Sequence, residues 1–144
     1  MESASSLSHH ELYTALRDNK LDPGSFDHES HIRLAWYYLG RWPYDEACER
    51  FNRHFLRFII KAGAESKYHK TITDALLQLI ASHFEDVQCR SDWAYFKQDA
   101  EPLFVDAYGL LQRFYSVELL ESDMARKEFK HPDVKDMPEP YRIN

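Results

Sequence analysis

With 144 residues the chain has room for one ordinary domain that buries roughly 70% of its unfolded surface. Its formal net charge of −6, from 24 acidic and 18 basic residues without a dense basic run, argues against phosphate-backbone binding and so against nucleic acid as a partner. Its two cysteines, Cys48 and Cys89, form no C-x-x-C pair, which excludes a disulfide framework and a thiolate zinc site. No stretch approaches the ~20 apolar residues of a spanning helix, and Met1 to Ser8 lack a basic start followed by an apolar run, so a cytoplasmic protein without membrane contact is expected.

Only four Gly and six Pro interrupt the chain, and aromatic residues make up 15% of it, ample material for a packed helical interior. The pattern predicts an all-α fold, an irregular bundle of about five to six helices in one domain spanning 1–144. A flexible start over about 1–8 and an extended, proline-containing tail over about 131–144 flank it. In chain order, Ser8 to Lys20 reads as a short helix and Leu21 to Ser25 as a turn. Asp27 is a candidate N-cap for helix A, whose Ile32, Ala35, Trp36 and Leu39 recur at helical spacing up to Gly40. Pro43 opens helix B, with Ala47, Phe51, Phe55, Phe58 and Ala62 as its stripe and Gly63 as its stop. Helix C begins at Lys67 or Tyr68, with His69 and His83 on the face of Ile72, Leu76, Leu79 and Ile80. Asp86 to Ser91 reads as a connector. A short aromatic helix around Trp93, Tyr95 and Phe96 follows, then single helices over about Pro102–Tyr115 and Val117–Phe129.

The chemistry-bearing residues cluster around histidine. His28 and His31, three residues apart at the head of helix A, border its core-seeking face. If A, B and C alternate in direction, His69 lies at the same end as this pair, and three imidazoles converge. Such a set with an open position suits zinc, copper or iron, able to polarise a substrate, activate water or meet dioxygen. His54 on helix B and the carboxylates Glu29, Glu118 and Glu121 are further candidate ligands. The zincin spacing H-E-x-x-H and the paired Glu-x-x-His of di-iron bundles are absent. The same residues support two other readings. Helix N-termini with Arg33, Lys67, Thr71 and Thr73 could hold a phosphate or carboxylate. Alternatively, the histidines cap helices and bind buried carbonyls, leaving a non-catalytic module for a small molecule or another chain.

The run Phe26 to Trp36 and the run Lys67 to Thr73 resemble segments, F-x-H-x-x-H-x-R-x-A-W and Y-H-x-T-x-T, of a family of small uncharacterised bacterial proteins. The likeness extends over most of the chain, including Ser122 to Pro132. The resemblance implies no activity. It matches the signature at His28, His31, Arg33, Trp36, His69, Thr71 and Thr73, and His54 stands outside it. The leading expectation is a metal site of His28, His31 and His69, with Arg33, Trp36, Thr71 and Thr73 against a small-molecule ligand. An exposed face of the last helix is a candidate surface for a second copy.

Overall fold

A computed structural model describes residues 4–142. Among the described residues it is all-helical, with ten α-helices, three 3₁₀ turns and no strand. The chain divides into two compact units, residues 1–68 and 69–144. No helix among the described residues is long and apolar enough to cross a membrane.

The first unit rests on three helices, α1 (His9–Arg17), α2 (His28–Arg41) and α3 (Tyr44–Lys61), each packed on the other two. Local chemistry sets their ends. Ser8 and Glu11 form a reciprocal capping box at α1, and the Asp27 carboxylate accepts the Ser30 N–H at 2.8 Å to start α2. After α3 the chain turns through Gly63, whose φ of 73° lies in the left-handed region that glycine adopts without a Cβ clash. Leu12, Leu16, Ile32, Ala35, Tyr38, Ala47 and Phe51 fill the interior. The start of the chain is fastened to this unit: Ala4–Ser6 form a 3₁₀ turn and Ala4 is wholly buried. The remainder of the expected flexible start, residues 1–3, lies outside the described residues.

In the second unit the helices are shorter and more numerous than periodicity predicts. After α4 (Lys70–Ala81) come α5 (Val87–Ser91), α6 (Trp93–Asp99), α7 (Glu101–Val105), α8 (Ala107–Leu111), α9 (Val117–Leu120) and α10 (Asp123–Lys127). The single helix expected over Pro102–Tyr115 breaks at Asp106, which leaves helical geometry (φ −158°, ψ 80°) and accepts the Gly109 N–H on its carboxylate. The one expected over Val117–Phe129 breaks at Ser122, whose hydroxyl accepts the Ala125 N–H. In both places a short polar side chain competes with the backbone for a helical N–H and restarts the helix. The expected connector over Asp86–Ser91 contains α5, capped by Asp86.

Beyond α10 the described part of the tail carries no helix, as its prolines dictate, and it is tied to the second unit as far as Tyr141, while residues 143–144 lie outside the described residues. Thr71 Oγ1 donates to the Glu128 carbonyl at 2.9 Å and accepts the Lys130 N–H at 3.0 Å. Tyr115 donates to the Lys130 carbonyl, and Asp133 receives both the N–H and the hydroxyl of Ser116. Farther along, Gln78 donates to the Pro138 carbonyl, the Tyr141 N–H to the Ala81 carbonyl, and Met137 is buried. The tail is therefore a strap along α4.

Candidate functional site

The candidate histidines and their neighbours divide between the two units. In the first, His28 is an exposed residue at the first position of α2, and His31, one turn on, is half-buried. The His31 ring stacks on Phe55 (centroids 4.5 Å, planes 22°) and on Phe51 (5.7 Å, 5°), with Phe26 at 6.1 Å. Desolvation by these rings, assisted by the neighbouring His28, lowers its pKa to about 4, so His31 is a neutral imidazole at physiological pH.

The Arg33 guanidinium is engaged with the start of the chain. Its Nε donates to His9 Nδ1 at 2.8 Å, and its terminal nitrogens donate to the carbonyls of Leu7 (2.6 Å) and Ala4 (3.4 Å). One guanidinium thus fixes the start of the chain to α2. Since Nδ1 of His9 accepts, His9 is held neutral, and burial together with the Arg33 charge lowers its pKa. Trp36, 5% exposed, packs edge-on against the His9 ring at 5.1 Å and belongs to the core. His54 is buried too, its Nδ1 hydrogen-bonded to the wholly buried Tyr38 hydroxyl at 2.7 Å.

In the second unit His69 does not stand inside helix C. It is the N-cap of α4, in extended geometry (φ −133°, ψ 107°), and its Nδ1 accepts the Ile72 N–H at 3.1 Å. This is why the helix begins at Lys70. With Nδ1 accepting, Nε2 carries the ring proton and donates it to the Leu120 carbonyl at 2.6 Å. Neither ring nitrogen offers a lone pair to a metal unless one of these bonds breaks. Of the candidate carboxylates near the last helices, Glu118 and Glu121 are exposed, and the partner of His69 there is the Leu120 main chain.

Thr71 and Thr73, expected beside a ligand, are buried and engaged with the backbone. Thr71 holds the strap, and the Thr73 hydroxyl donates to the His69 carbonyl at 2.8 Å, closing the first turn of α4. Among the described residues no group of three or more His, Cys, Asp or Glu side chains is placed to hold a metal ion. His69 is thus a helix cap tied to a carbonyl.

Two features escaped the sequence reading. His83 Nδ1 donates to Asp99 at 2.7 Å, and the same carboxylate oxygen takes the Cys89 thiol at 3.3 Å. Burial and that carboxylate push the Cys89 pKa up to about 12, so the thiol is not a nucleophile at neutral pH. The second feature is a pocket of about 250 Å³ between the strap and α4, lined by Gln78, Phe129, His131, Asp136, Met137 and Glu139 with Pro132. The only signal for it in the sequence is the proline spacing, which predicts an extended tail without saying what the tail lies against.

No family model, curated protein or solved structure matches the chain.

Proposed function

We propose that this chain is a cytoplasmic, non-catalytic module that binds a small molecule, and that His69 serves to hold its backbone together. The observation that carries this reading is the His69 ring, with both nitrogens committed to main-chain groups. A metal centre there requires a lone pair from His69, and obtaining one uncaps α4 or releases Leu120. An unmade buried hydrogen bond costs about 1–3 kcal/mol, which such a centre must offset before it gains anything. Arg33, Trp36, Thr71 and Thr73 support the same reading, because each serves to fasten a segment of chain or fill the core.

The test is metal content and metal response in the full chain purified without an affinity tag. After exposure to zinc, copper or iron and removal of excess, the reading expects well under one equivalent bound and an unchanged thermal midpoint. One tightly held equivalent that disappears in both His28→Ala and His69→Ala would establish the three-histidine centre instead.

A further inference from the structure

The strap pocket has a one-sided chemistry. Its charged lining residues, Asp136 and Glu139, are both carboxylates, and no lysine or arginine lines it. Gln78 donates one amide N–H to the Pro138 carbonyl, and its side-chain oxygen is able to accept from a ligand. The rest of the lining is soft and apolar: the ring of Phe129, the buried thioether of Met137 and the ring of Pro132. His131 packs edge-on to Phe129 at 5.2 Å, which sets the orientation of both rings at the pocket wall. The surrounding unit reinforces this polarity, since residues 69–144 contain fourteen acidic and nine basic side chains.

Three ligand classes can be weighed against this lining. An anion meets two carboxylates and no cationic partner, so it is repelled. A bare divalent metal needs a shell of several hard or nitrogen donors, and no such group of side chains is placed to supply one among the described residues. An organic cation suits the whole wall: carboxylates answer its charge, while an aromatic face and a thioether accept its weakly hydrated methylene or methyl surface. At the ~30 Å³ that a water molecule takes in the liquid, about 250 Å³ holds a ligand of roughly eight non-hydrogen atoms.

We propose that the pocket between the C-terminal strap and α4 is a binding site for a small organic cation, an alkyl amine or quaternary ammonium of that size. The positive end sits between Asp136 and Glu139, and the hydrocarbon part lies against Phe129 and Met137. Strap and ligand site are then one structure: the bonds from Thr71, Ser116 and Gln78 that fasten the tail also build the pocket wall. This inference rests on the binding-module reading above and gives it a seat and a ligand class.

The experiment is calorimetric titration of the full-length chain with butane-1,4-diamine and with choline, using butane-1,4-diol and succinate as the neutral and anionic controls. Saturable 1:1 binding of at least one cation, with no heat from either control, is the expected result. The double variant Asp136→Asn/Glu139→Gln changes two exposed side chains, and its helical spectrum and thermal midpoint verify that it folds. It should weaken the cation at least tenfold. In Phe129→Leu, choline should lose more affinity than the diamine, because its methylated head depends more on the ring. Absence of saturable binding by both cations, equal binding of the diol, or an affinity unchanged in the double variant would each overturn the proposal. Failure here with a metal-free protein removes only the cation site, whereas stoichiometric metal at His28 and His69 removes the binding-module reading itself.

Discussion

The two units solve the same problem, ordering a chain of short and medium helices, by different means. The first uses three helices of 9, 14 and 18 residues and joins them through side chains, with aromatic stacks around Phe51 and Phe55 and arginines reaching across to carbonyls. Arg57 of α3 donates to the Leu16 and Arg17 carbonyls at the end of α1, and Lys61 to that of Asn19, where the helix dipole favours a cation. Among its described residues the second unit has only one helix longer than seven residues, and it relies on caps and a strap. Histidine takes part in both. His9 in the first unit accepts from a guanidinium, and His69 in the second accepts from a helix N–H while donating to a carbonyl. What the contrast teaches is that a histidine can serve as a fastener of the chain, its imidazole offering one donor and one acceptor at fixed separation.

The comparison can be broken most severely at Thr71, the strap's buried anchor in the second unit. Thr71→Val keeps the shape and leaves the Glu128 carbonyl and Lys130 N–H without their partner, so a loss of about 2–4 kcal/mol is expected from urea unfolding. Cleavage by a protease should rise within 128–142 and stay unchanged in the first unit. A loss under about 0.5 kcal/mol, within the range of an ordinary surface substitution, would mean the strap is not held there.

Acid probes the first unit. The folded-state pKa of His31, about 4, lies below the ordinary value of 6.5, so the unfolded chain binds more protons between these values. Its contribution is complete above pH 6.5 and is lost as pH falls toward 4. Wild type should lose about 2–3 kcal/mol more than His31→Phe between pH 7 and pH 4, after allowance for the partial exposure of the ring. The carboxylates that titrate in the same range are common to both proteins, and parallel stability curves would refute the stacked, desolvated placement of His31.

A smaller effect should follow Arg33→Met, which keeps the aliphatic stem and removes the donors to His9, Leu7 and Ala4. Amide exchange should quicken over residues 4–9, with a stability loss of about 1–2 kcal/mol, and the second unit should be unaffected. Smallest is Gly109→Ala: an added Cβ would run into the Asp106 carboxylate that caps α8. Loss of that cap should cost about 1 kcal/mol, read as a lowered thermal midpoint, whereas a neutral or stabilising outcome would show that Asp106 swings aside without consequence.

The first unit was largely legible in the sequence. Asp27 as cap, the apolar recurrence through Leu39 and the stop at Gly63 place α2 and α3 nearly at their observed bounds. The second unit was less so, because apolar spacing runs on through Asp106 and Ser122, and only the local competition of their side chains for an N–H breaks the helix. The same limit misplaced His69: periodicity sets it on the face of Ile72 and Leu76, but a cap residue lies outside the helix and needs no place in the period. That Arg33 turns back to the start of the chain was hidden because its partners Ala4 and Leu7 offer only carbonyls, which no side-chain pattern records. His9 was visible as a histidine but not as an acceptor.

The central claim, that the His69 imidazole fastens the backbone, is tested most directly by a long-range proton–nitrogen correlation spectrum of the labelled chain. A neutral ring with protonated Nε2 and bare Nδ1, unchanged by an equivalent of zinc, is the result this arrangement requires. A His69 ring protonated on Nδ1, or one whose nitrogen shifts move together with those of His28 and His31 when zinc is added, would contradict it.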